Sequence, residues 1–163
     1  FIDLTLGMVM IHLFTFDPAW IKSRPPRAAG TERIFYDGVC GLCHRWARFV
    51  LAEDRTGETF RLAALQSETF EKHVPPEDRE NLPDSIIVQT ADGRLLVKST
   101  AVLYILARLG GAWRTIAVIG QVIPRVVRDA AYDFVASIRY RLFAKPTDVC
   151  PLVPADLRKR FDA

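Results

Sequence analysis

The chain has 163 residues, of which 50% are apolar and 25% charged, so it can bury one hydrophobic core and is not expected to be disordered. Its net charge is only +3, and its 22 basic residues are interleaved with 19 acidic ones, which excludes the basic block typical of nucleic-acid binding. Three cysteines, an odd number, do not fit a disulfide-rich secreted scaffold. These features favour a globular protein of a reducing compartment, and we expect the cytoplasm.

Residues 1–30 are predicted to be an N-terminal extension and linker. Residues 1–16 are mostly apolar, but no basic region precedes the run and Asp3 interrupts it, which argues against a secretory signal. The run is also shorter than the roughly 20 residues that a membrane-spanning helix needs, so we expect no membrane association. Residues 22–30 contain two prolines, a glycine and three charges, as linkers do. The domain is therefore predicted to cover residues 31–163.

The domain opens with a predicted strand, tight turn and helix. Residues 33–36 are a short β-prone run that ends at Asp37-Gly38, a turn signal. From Cys40 to about residue 53, apolar side chains recur at helical spacing. A cysteine therefore stands at the predicted start of the first helix.

The following segment is predicted to complete a small sheet. Residues 59–63 are a second candidate strand, and residues 66–81, which include two adjacent prolines, are predicted to be a loop with a broken helix. Residues 85–89 and 94–97 form a predicted hairpin around the turn at residues 91–93. This order predicts an α/β fold with a mixed parallel and antiparallel sheet flanked by helices, as in thioredoxin and glutaredoxin cores.

The last third of the chain is predicted to be helical. A helix over residues 100–109, with Ser99 or Thr100 as its N-cap, ends at Gly110-Gly111. Two more helices are expected over residues 112–122 and 124–143. They make a C-terminal helical addition to the core, at about residues 112–163, and not a separate domain.

Two cysteines three positions apart at a helix N-terminus suit thiol-disulfide exchange. The spacing places both sulfurs on one helical face, within reach of a disulfide. Unpaired N–H groups and the positive end of the helix dipole stabilise a thiolate and lower the pKa of a thiol there. We expect Cys40, at the exposed tip, to attack a substrate disulfide and Cys43 to resolve the mixed disulfide. Such a pair is itself the redox group, so no other cofactor and no metal are expected.

Three other interpretations of the same residues stay open. The segment from Cys40 to His44 matches the attachment site of a c-type haem, with His44 as one axial ligand. Cys40, Cys43, Cys150 and a histidine would form a structural zinc site, although no second cysteine pair completes it. Two cysteines also pack together in some hydrophobic cores. The preceding strand and Asp-Gly turn favour the redox interpretation.

The segment over residues 36–43, Tyr-Asp-Gly-Val-Cys-Gly-Leu-Cys, resembles the DCC family of predicted thiol-disulfide oxidoreductases, named for an Asp-x-x-Cys-x-x-Cys signature. The resemblance continues through residues 64–67, 84–86, 99–102, 123–132, 139–141 and Cys150, and so covers about residues 33–161. It implies a thioredoxin-like fold and protein-disulfide reductase chemistry. It also implies that Asp37, Cys40 and Cys43 carry the motif.

Asp37 has two interpretations. Its carboxylate would cap the N–H groups of the first helical turn, or it would accept a proton near the thiols. We favour the cap, since an Asp-Gly turn that enters a helix commonly works in that way.

Two further places are expected to contact the substrate. Thioredoxins align a substrate backbone beside a cis-proline directly before the hairpin strand, where this chain has Asp84 and Ser85. Ser99 and Thr100 begin a helix similar to the one whose N-terminus receives the γ-glutamyl carboxylate in glutathione-binding relatives. Glutathione is therefore a candidate co-substrate, with a plain N-cap as the alternative.

The remaining expectations concern residues outside the motif. We expect Cys150 to be an ordinary buried thiol and not a third redox cysteine, and Tyr132 to belong to the core. Four late arginines are expected to form a solvated or ion-paired face rather than an anion site: Arg125, Arg128, Arg139 and Arg141. The expected partner is a disulfide-containing protein or a small thiol, with no nucleic acid, and the sequence leaves the oligomeric state open.

Overall fold

The computed structural model of the chain describes residues 31–54, 56–142 and 159–162. Within these residues lie five strands and six helices. The strands are β1 (Glu32–Tyr36), β2 (Phe60–Ala64), β3 (Ile87–Gln89), β4 (Leu95–Val97) and β5 (Phe161–Asp162). The helices are α1 (Gly41–Glu53), α2 (Glu68–His73), α3 (Pro76–Arg79), α4 (Lys98–Leu109), α5 (Gly111–Val122) and α6 (Arg125–Leu142).

The strands form one mixed sheet in the order β4-β3-β1-β2-β5. β1 and β2 run parallel, with Ile34 opposite Leu62, and α1 makes the crossover between them. β3 runs antiparallel to β1 and β4 antiparallel to β3, which is the predicted hairpin. β5, which the sequence does not predict, adds parallel to β2 at the opposite edge. The predicted α/β fold, a thioredoxin-like mixed sheet flanked by helices, is confirmed.

Successive side chains of β1 enter two cores, one on each face of the sheet. Ile34 packs with Val50 of α1 and Ile105 of α4. Phe35 packs on the other face with Phe70 of α2. β1 is the middle strand of the sheet and is covered on both faces, so its C-terminal end holds the following turn in a fixed place.

Two predicted boundaries differ from the structure. β3 begins at Ile87, so Ser85 precedes the strand and does not start it. α4 begins at Lys98, and its N-cap residue is Val97, so the prediction of Ser99 or Thr100 as the N-cap is wrong. The physical reason is tertiary: a carboxylate from α6 accepts a hydrogen bond from the N–H group of Ser99, so the helix needs no cap from its own sequence.

The helices α5 and α6 pack against α4, and α6 returns towards the start of β3. Gly120 of α5 approaches α4 so closely that a Cβ on it would lie 2.7 Å from Cδ2 of Leu103. Farther along, Tyr132 of α6 packs against the core that contains Ile34. In the part of the chain that the structure describes, none of the helices is both long and apolar enough to cross a membrane.

Candidate active site

Asp37 and Gly38 build the turn between β1 and α1. Oδ1 of Asp37 accepts a hydrogen bond from the Val39 N–H at 3.0 Å, and the Asp37 carbonyl accepts one from the Cys40 N–H at 3.3 Å. Aspartate favours such turns because its short carboxylate reaches the N–H group two residues on. The Gly38 N–H donates to Oε1 of Gln66 at 3.1 Å, and a Cβ on residue 38 would crowd that oxygen at 3.0 Å. The turn therefore places Cys40 at the start of α1.

Cys40 is the N-cap residue of α1, with extended backbone angles of φ −100° and ψ 118°. Its carbonyl accepts the His44 N–H at 3.1 Å, the first hydrogen bond of the helix. The Cys40 side chain is only 1% exposed, whereas Cys43 is half-buried. The prediction that Cys40 forms an exposed tip is therefore wrong. Val39, which is 52% exposed, takes the outward position of the turn instead.

The two cysteines are free thiols that lie close enough for each to affect the ionisation of the other. Burial, the hydrogen bond with Cys40 and the Coulomb repulsion from Cys40 together raise the pKa of Cys43 to about 12. The positive charge of Arg139 and the backbone N–H of Asp37 act in the opposite direction. Cys43 is therefore a protonated thiol at neutral pH.

Arg139 of α6 connects two carboxylates beside this pair. Its Nη2 lies 2.7 Å from Oδ2 of Asp84 and 3.7 Å from Oδ2 of Asp37, and its Nη1 donates to the Asp84 carbonyl at 3.3 Å. The Arg139 side chain is only 4% exposed. A buried guanidinium needs such partners, since an unpaired charge is costly to bury. The predicted ion-paired face is thus present at Arg139, but it is turned into the protein and not to solvent.

The carboxylate of Asp37 stabilises the turn between β1 and α1. It accepts hydrogen bonds from the Val39 N–H and, at 3.3 Å, from Nε2 of Gln66, and it faces Arg139. Val39 precedes the helix, so this hydrogen bond stabilises the turn, and the predicted cap of the first helical turn stays a prediction. The alternative role of Asp37, as a proton acceptor near the thiols, stays a prediction.

The expected substrate-aligning residues Asp84 and Ser85 lie next to this site, but α6 already engages their segment. Arg139 binds both the carboxylate and the carbonyl of Asp84. Ser85 is buried, and its hydroxyl donates to the Ile86 carbonyl at 3.2 Å. The Ile86 N–H donates to the hydroxyl oxygen of Tyr132 at 2.9 Å. The groups that would pair with an extended substrate before β3 are therefore hydrogen-bonded within the protein.

The N-terminus of α4, where a glutathione carboxylate is expected, receives an internal carboxylate. Asp129 of α6 accepts hydrogen bonds from the Ser99 hydroxyl and, at 3.3 Å, from the Ser99 N–H. The hydroxyl bond is the main reason that the pKa of Asp129 lies below its ordinary value. Thr100 is half-buried beside it. Glutathione would have to displace Asp129 here, and its binding stays a prediction.

The family model of the DCC1-like thiol-disulfide oxidoreductases matches residues 34–145, more than half of the chain. The chain belongs to this family. The resemblance drawn from the Asp-x-x-Cys-x-x-Cys signature is therefore confirmed, and with it, at the level of the family, thiol-disulfide oxidoreductase chemistry. The matched range includes Asp37, Cys40, Cys43 and Arg139.

Two relatives show that the similarity extends over the whole domain. The Uncharacterized protein YuxK of Bacillus subtilis (strain 168) is 36% identical over 132 residues, which are 78% of this chain and 91% of that protein. The DCC family protein At1g52590, chloroplastic, of Arabidopsis thaliana is 35% identical over 135 residues, 82% of this chain and 77% of that protein. No solved structure matches the chain.

Tyr132 and Arg139 are absent from the predicted site of this DCC1-like protein. They stand seven positions apart on α6, two helical turns, and therefore share one face. That face is turned to the cysteine turn, since Arg139 lies 3.7 Å from Oδ2 of Asp37 and its charge acts on Cys43. A sequence signal exists: these polar residues alternate along α6 with exposed apolar ones, namely Val126, Val127, Phe134 and Val135. The reversed pattern indicates a helix whose polar side is buried.

The described residues do not show the geometry that the haem and zinc interpretations require. Nε2 of His44 lies 2.7 Å from the Gly38 carbonyl oxygen, which only accepts, so this nitrogen carries the proton and is not available as an axial ligand. Across residues 31–54, 56–142 and 159–162, no three His, Cys, Asp or Glu side chains lie close enough to hold a metal ion. Cys150, both as a zinc ligand and as a buried thiol, lies outside the described residues.

Proposed function

We propose that this DCC1-like chain reduces disulfides, in the manner of a protein-disulfide reductase, through Cys40 and Cys43. The observation that carries the proposal is the pair of free, neighbouring thiols at the point where β1 turns into α1. Two such sulfurs need only a local shift to form a disulfide, because the bond requires specific but short-range geometry. The same pair therefore serves in both redox states.

Cys40 is the attacking residue of the proposed mechanism. Cys40 is the N-cap residue of α1, at the positive end of the helix dipole. Cys43, with a pKa of about 12, is protonated at neutral pH and is a poor first nucleophile. The structure thus supports the order of the two cysteines through the buried protonated state of Cys43, and not through the exposure of Cys40.

The reaction transfers two electrons from the dithiol to the substrate. The Cys40 thiolate attacks one sulfur of a substrate disulfide, that S–S bond breaks, and the other substrate sulfur leaves as a thiolate. Cys43 then gives its proton to water and attacks Sγ of Cys40. The bond between Cys40 and the substrate breaks, the second substrate sulfur leaves as a thiolate, and the Cys40–Cys43 disulfide remains. An external thiol must then reduce that disulfide.

The burial of Cys40 favours small or flexible substrates. Cys40 is 1% exposed, so a substrate disulfide reaches it only when the turn that carries Val39 moves aside. The proposed substrates are a disulfide in a protein or a small disulfide, and glutathione is the candidate reductant. We also propose a reducing compartment, the cytoplasm, because a dithiol pair is maintained there.

A redox titration tests the proposal. The purified protein is equilibrated in glutathione buffers of graded potential, its thiols are trapped, and its peptides are weighed by mass spectrometry. We expect a reversible loss of two hydrogens confined to Cys40 and Cys43. A pair that stays reduced across the whole range of potentials would contradict the proposal.

Variants assign the two roles. Cys40→Ser should abolish dithiol-dependent reduction of insulin, whereas Cys43→Ser should accumulate a mixed disulfide on Cys40. Cys150→Ser, which removes the third thiol, is the matched control and should remain active. Undiminished activity of Cys40→Ser would show that another group performs the attack.

A further inference from the structure

The proposed reaction requires Cys43 to become a thiolate in surroundings that oppose a negative charge. Cys43 packs beside Tyr36, Ala47 and Leu62, and its pKa is raised chiefly by burial. Resolution of the mixed disulfide is therefore the step that most needs a compensating positive charge, because only the thiolate attacks.

Arg139 is a buried cation that reaches the cysteine turn, because its Nη2 lies 3.7 Å from Oδ2 of Asp37, and its positive charge acts on Cys43. Its guanidinium stays protonated at every pH that the fold survives, so its charge is permanent. With the side chain 4% exposed, water and salt screen this charge far less than they would screen a surface arginine. The carboxylates of Asp37 and Asp84, which face Arg139, partly offset its field.

The contacts of Arg139 also fix where its charge lies. Two nitrogens of the planar fork bind Asp84, one at its carboxylate and one at its carbonyl. Asp37 holds the guanidinium from the side of the cysteine turn, and the Asp37 backbone carbonyl in turn bonds the N–H of Cys40. A lysine offers a single ammonium group and would keep the charge without this double attachment.

We propose that Arg139 is a positioning residue of the redox site: its buried guanidinium stabilises the Cys43 thiolate that resolves the mixed disulfide. The inference rests on the proposed function and adds a role that the cysteines themselves do not supply. Arg139 does not exchange electrons or protons. It lowers the cost of the charge on Cys43 while that sulfur attacks Sγ of Cys40 and the substrate sulfur leaves as a thiolate.

The resolution step is measured directly with an aromatic disulfide, dithiobis-nitrobenzoate, in a stopped-flow instrument. One equivalent is mixed with reduced protein that carries Cys150→Ser, so that two reactive thiols remain. Attack by Cys40 releases the first coloured thiolate at a rate that depends on reagent concentration. Attack by Cys43 on the mixed disulfide releases the second at a rate that does not.

Arg139→Met should slow the second phase and leave the first nearly unchanged. Each unit by which the pKa of Cys43 rises lowers its thiolate fraction tenfold, and the higher nucleophilicity of a more basic thiolate restores about threefold, so we expect a net slowing of about threefold per unit. Arg139→Lys, which retains the charge, should restore most of the rate. The control is Arg108→Met, which breaks another buried ion pair, at Glu32 at the opposite end of β1, and should leave the second phase unchanged.

Asp84→Asn gives a prediction of opposite sign. The Asp84 carboxylate is 68% exposed, so the variant should fold, and it removes a negative charge that offsets Arg139. The second phase should accelerate, by about twofold, whereas a purely structural role of the ion pair predicts a slower phase. An unchanged or slower second phase in Asp84→Asn, or an unaffected one in Arg139→Met, would overturn the inference. A wild-type protein with no second phase would instead overturn the proposed function.

Discussion

Two buried arginines hold different parts of this DCC1-like protein, and their surroundings differ in kind. Arg160 lies directly before β5 and binds the carboxylate of Asp54. It also donates hydrogen bonds to the carbonyl oxygens of Leu51, Asp54 and Phe60. That carboxylate also accepts hydrogen bonds from the N–H and the hydroxyl of Thr59. These hydrogen bonds of Arg160 hold the end of α1 to the sheet edge.

Arg139 has the same chemistry but a reactive neighbour. Its second carboxylate, on Asp37, lies 3.7 Å away, beyond hydrogen-bond length, and Asp84 is largely exposed. Its charge also acts on the sulfur of Cys43. The comparison shows that burial and ion pairing do not by themselves distinguish a structural arginine from a functional one. The distinction lies in what else the charge reaches.

The largest expected effect is the loss of the structural arginine. Arg160→Met removes a charged partner of the buried Asp54 carboxylate. Breaking such a buried ion pair costs about 3 kcal/mol or more of the free energy of unfolding. Urea denaturation followed by circular dichroism measures the loss. At low urea, where the variant is folded, its second thiolate-release phase should match that of the wild type. A slowed second phase in Arg160→Met would erase the distinction between the two arginines.

A second prediction concerns the pH dependence of Cys43, the reactive neighbour of Arg139. The pKa of Cys43 is raised to about 12, so its thiolate fraction should increase about tenfold per unit from pH 7 to 9, and the resolution rate with it. The raised value also fixes the sign for stability: the reduced protein binds the thiol proton more tightly when folded. Stability should thus be intact below pH 9 and fall between pH 9 and 12. Stopped-flow rates and urea midpoints check both, with Cys43→Ser as the control for stability.

A resolution rate that levels off below pH 9 would contradict the raised pKa of Cys43. In that case Arg139 would already hold a populated thiolate near neutral pH. The urea midpoints would then begin to fall at a correspondingly lower pH. The two measurements are independent, because the first follows a reaction and the second follows unfolding.

Local signals in the sequence predict the strand, turn and helix that carry Cys40 and Cys43. The Asp37-Gly38 turn, the strand before it and the periodic helix after it are encoded within about twenty residues, and the structure has them as predicted. The burial of Cys40 is not encoded locally. It depends on which residue of the turn faces solvent, and Val39 takes that position only in the folded chain.

Long-range contacts account for what could not be predicted. Arg139 lies 55 positions from Asp84, and Asp129 lies 30 positions from Ser99. No spacing rule relates such pairs, so local rules predict Ser99 as a cap of the helix that it begins. The sequence predicts an ion-paired or solvated face for Arg139, because surface pairing is common for arginine. In the folded chain Asp129 accepts the hydrogen bond of the Ser99 N–H, and the ion pair of Arg139 is buried.

A variant of Tyr132 should have a smaller effect, and it tests whether the charge of Arg139 or the hydrogen bonding of residues 84–86 governs resolution. Tyr132→Phe removes the acceptor of the Ile86 N–H but leaves Arg139 in place. The lost hydrogen bond should cost about 1 kcal/mol of the free energy of unfolding. The resolution rate should change by less than about twofold, since no charge is lost. If Tyr132→Phe slowed resolution as much as Arg139→Met, the holding of residues 84–86, and not the positive charge, would govern the step.

The smallest expected effect is at the N-terminus of α4, where Asp129 replaces a local cap. Asp129→Asn retains an acceptor for the Ser99 N–H but loses the negative charge near the helix N-terminus, which should cost about 0.5 kcal/mol at pH 7. The pKa of Asp129 is lowered in the folded chain, chiefly by the Ser99 hydroxyl, so this stability is present above the ordinary value of 3.8 and is lost as the pH falls below it. Urea midpoints of the two proteins should therefore differ at pH 7 and converge towards pH 3.

Resolution kinetics should not change, because Asp129 pairs with Ser99 and Arg125 and not with Arg139. A changed second phase in Asp129→Asn would mean that the charges along the inward face of α6 act together, and that Arg139 cannot be treated as a separate site.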